Sequence, residues 1–137
     1  MKVLFICWGN SGRSQFAEGF FRKLVSQHEV MSAGTNANER NAFFGTDHLP
    51  QPVMQVMDEA GIDVSSQRRK QLTEQMVKDA DLVVGIIDKK SLPEYVLKSP
   101  KFRHWDIADP KDKSLDIHRQ ARDEVRAAVE KLVAELG

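Results

Sequence analysis

The sequence predicts an α/β fold in which a parallel β-sheet is covered by helices on both faces, giving three layers. Two observations support this prediction. Short apolar runs alternate along the chain with stretches whose apolar residues recur at helical spacing. The first run, 3–6, contains no polar residue, as expected of a strand that is buried on both faces. No repeat or linker interrupts the pattern, so we expect residues 1–137 to form a single domain.

Four strands are predicted from these apolar runs, which gives a four-stranded parallel sheet flanked by helices. In chain order they cover 3–6, 30–33, 82–87 and, more weakly, 102–107. In a parallel sheet all strands end at the same edge, where ligands of such folds usually bind. Three segments leave the sheet at that edge: the segment from Cys7 onward, the segment after Gly34, and the segment that follows 102–107.

The predicted helices begin and end at recognisable residues. A first helix is predicted to begin near Arg13, and Pro52 opens a helix that ends at Gly61. Thr73 is a candidate cap for a short helix, and the last helix is predicted to begin near Ser114. The polar segment 35–49 carries no apolar stripe and is predicted to be a long irregular loop, a kind of segment that is often functional.

Composition excludes several classes of partner. Lys and Arg together number 20, as do Asp and Glu, so bulk charge suggests neither nucleic-acid nor membrane binding. The single cysteine cannot form an internal disulfide and fits a reducing compartment, so we expect a cytoplasmic protein. The four histidines show no metal-ligand spacing, and no metal or other cofactor is expected.

The segment 7–14 joins the first strand to the first helix and has the features of an anion-binding loop. Gly9 and Gly12 permit unusual backbone angles, and Asn10 tolerates the left-handed region. A loop curled in this way points several N–H groups at one anion, and the following helix adds its positive end. Arg13 supplies a planar fork that matches two oxygens of a phosphate-like group.

Cys7 is the candidate nucleophile of this loop. An electropositive setting favours the thiolate, which is the reactive form of cysteine. Ser14 is placed to donate a hydrogen bond to the sulfur and to help it leave in a second step. The competing interpretation is that Cys7 is a small buried hydrophobic residue at a strand end. The coincidence of two glycines, an asparagine, Arg13 and Ser14 in eight residues favours the catalytic interpretation.

The segment 7–14 resembles the phosphate-binding loop of the low-molecular-weight protein tyrosine phosphatase superfamily, which also contains thiol-dependent arsenate reductases. The resemblance extends over nearly the whole chain, through 3–18, 32–35, 57–64 and 80–84 to Asp109-Pro110. It implies a four-stranded parallel sheet flanked by helices. It also implies that phosphate is bound by the loop residues Trp8, Gly9, Asn10, Ser11, Gly12, Arg13 and Ser14.

The resemblance further implies that Asp109 is the general acid of the first step and the base that activates water in the second. Taken alone, Asp109-Pro110 is more often simply a turn. Asp106 is the nearby competitor, and we expect it to lie at a strand end instead. The implied catalytic set is therefore Cys7, Arg13 and Asp109, acting without a metal.

Some positions depart from the phosphatase branch. Gly12 stands where a second cysteine is typical, and Gln15 and Lys111 replace a common proline and an aromatic residue. Gly9-Asn10-Ser11 and His104-Trp105 resemble the arsenate-reductase branch more closely, which weakens a strict preference for phosphotyrosine. The reductases that couple to thioredoxin use two further cysteines, which this chain lacks.

Three functions are therefore ranked. The first is a cysteine-dependent phosphatase that hydrolyses phosphomonoesters, either protein phosphotyrosine or a small aryl phosphate, through a cysteinyl-phosphate intermediate. The second is an arsenate reductase that relies on an external thiol or a redox protein. The third is a phosphate-binding module without turnover, which would not need both a nucleophile and an acid.

Three further groups of residues carry predictions. Trp8 could form a wall of the entrance or pack against the first helix. Phe43-Phe44 could form a second wall of the entrance, but it is expected to be a hydrophobic anchor of the long loop. Arg68-Arg69-Lys70 could steer an acidic phosphoprotein, but it is expected to be a solvated face.

Overall fold

The computed structural model describes residues 1–137 and is organised around one four-stranded sheet. In spatial order the strands are β2 (Glu29–Gly34), β1 (Lys2–Cys7), β3 (Leu82–Gly85) and β4 (Phe102–His104). Each neighbouring pair is parallel. The predicted fold class and the four predicted strands are therefore confirmed, although β3 and β4 end before the predicted limits of 87 and 107.

Six helices connect or follow these strands. They are α1 (Arg13–Leu24), α2 (Ala37–Phe44), α3 (Gln51–Glu59), α4 (Glu74–Asp79), α5 (Glu94–Leu97) and α6 (Leu115–Leu136). Two predicted helix starts are confirmed by their caps. Thr73 Oγ1 accepts a hydrogen bond from Met76 N at 3.3 Å, and Ser114 Oγ accepts one from Ile117 N at 3.3 Å.

The prediction of a wholly irregular loop over 35–49 is wrong, because α2 lies inside it. Only Ala37 and Arg40 of this helix are buried, so it has no apolar stripe from which it could be recognised. Its end follows a familiar rule: Gly45 adopts a left-handed φ of 69°, and its N–H donates to Asn41 O at 2.8 Å.

The two faces of the sheet bury separate clusters of side chains, because successive strand residues point to opposite sides. Val3 and Phe5 of β1 pack on the side of α1, α3 and α6. Leu4 and Ile6 pack on the other side, with residues from α4 and α5. The three predicted layers are therefore present.

The carboxyl ends of β1 and β2 lie side by side, with Cys7 in register with Gly34. Beyond them, Thr35 N donates to Cys7 O at 3.0 Å and Asn36 N donates to Trp8 O at 2.7 Å. The segment after β2 therefore supports the loop that follows β1. No helix in the structure has the length and apolar character that spanning a bilayer requires.

Candidate active site

A small pocket opens at the carboxyl edge of the sheet, where the loop 7–14 leaves β1. Its lining comes from the loop after β1, from α2 and from the segment between β4 and α6: Cys7, Trp8, Gly9, Ser11, Gly12, Arg13, Arg40, Asp109 and Lys111. The three residues expected to carry catalysis are among them. The pocket thus combines a thiol, a carboxylate and three cationic side chains.

Cys7 lies at the end of β1 and is 3% exposed. Its Sγ is 2.9 Å from Ser14 Oγ, a contact in which the hydroxyl can donate to a thiolate. Ser14 belongs to the first turn of α1, which begins at Arg13 as predicted. That turn contains no acidic residue, and its N-cap Gly12 offers no side chain, so the positive end of α1 is left for another anion.

Arg13 connects the loop to the segment after β4. It is 7% exposed, and its Nη1 donates to Ile107 O at 3.1 Å. Its Nη2 lies 3.4 Å from Asp109 Oδ2, which forms an ion pair across the pocket. Asp109 Oδ1 also accepts a hydrogen bond from Lys111 N at 3.0 Å, which fixes the carboxylate. Asp106 is exposed and does not line the pocket.

Asn10 holds the loop from the inside. It adopts a left-handed φ of 54°, is fully buried, and is the only loop residue with a positive φ. Its Nδ2 donates to Ser14 Oγ at 2.7 Å and to Ser32 Oγ at 2.9 Å. Its Oδ1 accepts from Lys70 N at 2.8 Å and from Gln15 Nε2 at 2.9 Å. The side chain therefore shapes the loop and does not line the pocket.

A buried carboxylate continues this network away from the pocket. Ser32 Oγ donates to Glu18 Oε1 at 2.7 Å, and Glu18 is 4% exposed. Arg22 Nη2 lies 3.0 Å and Lys70 Nζ 3.6 Å from its two oxygens. Sequence reasoning missed this extension. One signal for it was available, because Glu18 lies four residues after Ser14 and so shares its face of α1.

The two glycines of the loop differ in role: Gly12, with φ −133° and ψ −83°, has the unusual backbone angles that were predicted, whereas Gly9 is needed for space. Neither Gly9 nor Gly12 has a positive φ. A Cβ on Gly9 would lie 3.0 Å from Arg40 Cγ, and a Cβ on Gly34 would lie 2.6 Å from Asn10 N. Gly9 and Gly34 are therefore needed for close approach, and Asn10 alone provides the left-handed turn.

Arg40 of α2 is a pocket residue that sequence reasoning did not find. It is 8% exposed, and its guanidinium carbon lies 5.8 Å from the ring centroid of Trp8 and 4.8 Å from that of Phe44. Trp8 itself is half-buried at the pocket wall. Because α2 was not predicted, nothing in the sequence placed Arg40 beside Cys7.

Two surface predictions are corrected here. Phe43 is 80% exposed and Phe44 48%, so this pair is not a buried anchor. The ring of Phe44 instead makes cation–π contacts with the guanidinium groups of Arg40 and Arg69. The guanidinium carbon of Arg69 lies 5.1 Å from the ring centroid. Arg69 is only 4% exposed, so it does not belong to a solvated face. Burial, followed by the charge of Arg40, lowers the pKa of Arg69.

Comparison with known proteins identifies the family of the chain. The family model of low molecular weight phosphotyrosine protein phosphatase matches residues 2–137, and the chain belongs to this family. A glutaredoxin arsenate reductase of Synechocystis sp. is 31% identical over 137 residues, covering 98% of this chain and 98% of that protein.

Solved structures match over the same extent. The low molecular weight protein tyrosine phosphatase from T. tengcongensis superimposes with a TM-score of 0.82 at 29% identity, covering 98% of this chain and 99% of that one. Vibrio vulnificus Wzb in complex with benzylphosphonate superimposes with a TM-score of 0.86 at 22% identity, covering 98% of this chain and 97% of that one. At this identity the likeness shows the fold alone. The family is enzymatic, and its members include both phosphatases and arsenate reductases.

Proposed function

We propose that this protein is a cysteine-dependent phosphatase that hydrolyses phosphomonoesters, with aryl phosphate or protein phosphotyrosine as substrate. The observation that carries the proposal is the position of Cys7 Sγ, 2.9 Å from Ser14 Oγ in a loop that also presents Arg13 and faces Asp109. A phosphatase needs only one thiol, and the chain has only one.

In the first proposed step, Arg13 and the N–H groups at the start of α1 bind the phosphoryl oxygens. The Cys7 thiolate attacks phosphorus, and the bond to the substrate oxygen breaks. Asp109 gives its proton to that leaving oxygen. A bound phosphate dianion would compete with Asp109 for Arg13, because both anions contact the same guanidinium group.

In the second step, Asp109 takes a proton from water, and the water oxygen attacks the cysteinyl phosphate. The sulfur leaves as a thiolate that accepts a hydrogen bond from Ser14, and inorganic phosphate is released. Trp8 forms a wall of the pocket on which an aromatic leaving group can stack.

Arsenate reduction is the second candidate, and it is favoured by the 31% identical relative, a glutaredoxin arsenate reductase. In this case Cys7 would attack arsenate, and an external thiol or a redox protein would have to resolve the arsenylated sulfur. The chain has no second cysteine for that step. We therefore rank it below hydrolysis, and we expect either reaction to take place in the cytoplasm.

A paired assay tests the proposal. Hydrolysis of 4-nitrophenyl phosphate and reduction of arsenate with glutathione or with glutaredoxin are measured for the parent and for Cys7→Ser. We expect the parent to hydrolyse the aryl phosphate and Cys7→Ser to show no turnover, because a hydroxyl is a far weaker nucleophile than a thiolate.

The competing functions predict different results in the same assay. Equal hydrolysis by the parent and Cys7→Ser would remove Cys7 from its proposed role. Thiol-dependent arsenate turnover without hydrolysis would reverse the ranking of the two enzymes. Phosphate binding with neither reaction would favour the module without turnover.

A further inference from the structure

Arg40 presents a second cationic group in the pocket, in addition to Arg13. It is more than nine-tenths buried, and its Nε is buried without a hydrogen-bond partner. No carboxylate forms an ion pair with it, whereas Arg13 is paired with Asp109. A buried, unpaired cation is costly for a folded protein, so its position calls for an anion that the chain itself does not provide.

Arg69 increases this local excess of positive charge. It stands behind the pocket, stacked on the Phe44 ring that also carries Arg40, and its Nε is likewise buried without a partner. Its other nitrogens bond to Thr46 O at 2.6 Å and to Ser11 Oγ at 3.5 Å, both of which are neutral. The charge of Asp47 acts on Arg69 from beyond ion-pair distance, so neither of the two guanidinium groups on Phe44 forms an ion pair with a carboxylate.

The acidic residues nearby are already occupied. Asp47 lies 3.9 Å from Arg68, Glu39 accepts a hydrogen bond from Asn36 at 3.0 Å, and Asp109 faces Arg13. The pocket lining contains three cationic side chains, those of Arg13, Arg40 and Lys111, and a single carboxylate. One phosphoryl group engaged by Arg13 would leave Arg40 available for another anion.

We propose that Arg40, backed by Arg69, forms a second anion-binding subsite beside the phosphate loop, and that the substrate carries a second acidic group next to its phosphoryl group. That group is a carboxylate or a second phosphate, both of which match a guanidinium fork. The proposal rests on the proposed function, because it assumes that the loop 7–14 holds the phosphoryl group.

Binding of non-hydrolysable ligands tests the subsite independently of turnover. The affinities of benzylphosphonate derivatives bearing a meta carboxylate, a meta carboxamide or a meta phosphonate are measured by calorimetry. We expect the parent to bind the carboxylate about ten-fold more tightly than the carboxamide, because the carboxylate makes a charge-assisted contact with the buried Arg40. The phosphonate arm shows which of the two acidic groups the subsite prefers.

Three variants make the test specific. In Arg40→Gln the ratio of carboxylate to carboxamide affinity is expected to fall to about one, because the cation is lost. Arg40→Lys keeps a charge on an aliphatic stem and is expected to restore part of the ratio. Arg126→Gln removes an exposed arginine on α6 and should retain the full ratio, which controls for net charge.

Each outcome decides a different point. Equal affinities for the three ligands in the parent, or an unchanged ratio in Arg40→Gln, would overturn the subsite and leave the phosphatase proposal standing. Normal binding without hydrolysis of any aryl phosphate would overturn the phosphatase proposal and leave the subsite standing. If the parent bound none of the ligands, both proposals would fail.

Discussion

Asp106 and Asp109 are three positions apart in the chain, but they differ in their access to Cys7. Asp109 lines the pocket, and its two oxygens contact Arg13 and the N–H of Lys111. Asp106 does not line the pocket and is exposed to solvent. Substituting each aspartate in turn therefore gives a matched comparison, in which one variant loses a carboxylate that lines the pocket and the other loses a carboxylate that does not.

We expect Asp109→Asn to lower kcat on phenyl phosphate by about 10²–10⁴-fold, because an amide cannot protonate the leaving oxygen. The loss should be smaller on 4-nitrophenyl phosphate, whose leaving group needs less help. Asp106→Asn is the control and should stay close to the parent on both substrates. Steady-state kinetics with the two substrates checks this, and equal rates for Asp109→Asn and the parent on phenyl phosphate would exclude the acid role.

At the scale of elements, one carboxylate at the end of α3 forms hydrogen bonds and ion pairs with arginines of α6. Glu59 at the end of α3 receives two hydrogen bonds from Arg119, from Nε at 2.9 Å and Nη2 at 2.8 Å, and one from Arg122 at 3.2 Å. Arg122 also donates to Val56 O at 2.8 Å. The hydrogen bonds and charge of Arg119 are the main reason that the pKa of Glu59 lies below its ordinary value of 4.5.

This contact should make stability depend on pH in a defined direction. A carboxylate whose folded pKa is lowered stabilises the fold fully above pH 4.5, and the contribution is lost as pH falls through the folded pKa. We therefore expect Glu59→Gln to have a lower Tm than the parent at pH 7, and the difference to disappear in strong acid. Thermal unfolding at several pH values measures it.

Glu130→Gln is the matched control for this prediction. Glu130 also lies on the surface, and its Oε2 is 3.9 Å from Arg126 Nε within the same helix. An exposed ion pair inside one helix contributes little to stability, so Glu130→Gln should lower Tm less than Glu59→Gln does. If the difference in Tm between Glu59→Gln and the parent did not depend on pH, the ionised form of Glu59 would not be the source of the stabilisation.

Helices and strands with a strong apolar pattern could be predicted from the sequence, and two helices without one could not. The helices α1, α3 and α6 and the strands β1 and β3 could be predicted, because each buries a regular set of apolar residues. The signal for the other two strands is weaker, since β2 buries only its last three residues and β4 buries none. The helices α2 and α5 could not, since α2 has a polar surface and α5 has only four residues. A short helix stabilised by its surroundings leaves no periodic signal in the sequence.

The same distinction applies to the candidate site. Cys7 and Arg13 could be named from the sequence because they belong to one local motif, and Asp109 because the family resemblance implies an acid at that position; all three line the pocket. Arg40 and Arg69 could not, since their position depends on α2 and on the aromatic ring of Phe44. Contacts that depend on tertiary packing need the structure itself.

At the scale of the whole molecule, the single cysteine determines the response to oxidants. No second thiol exists in the chain to capture an oxidised Cys7 as an internal disulfide. Attack of the thiolate on hydrogen peroxide forms a sulfenic acid and releases hydroxide. Further peroxide would carry the sulfur to irreversible states, so protection has to come from an external thiol.

We expect peroxide to abolish hydrolysis, and dithiothreitol to restore it only when it is added early. Mass measurement of the peptide that contains Cys7 should show the gain of one oxygen and then of further oxygens, without loss of two hydrogens; the peptide is measured because the five methionines of the chain can also gain oxygen. Inorganic phosphate should slow the reaction because it competes for the loop. Full activity after the thiol has been oxidised would contradict the role of Cys7.

The hydrogen bonds of Asn10 have a consequence for how the protein acquires its activity. They join the loop to Ser32 at the end of β2 and to Lys70, which lies sixty positions further along the chain. Contacts between segments so far apart in sequence require a long loop to be closed, and the entropy of that closure is lost before the contacts stabilise the fold. We therefore expect the anion-binding shape of the loop to be among the last features to form during folding. Recovery of phosphate binding during refolding would then report completion of the fold, and not merely formation of β1 and α1.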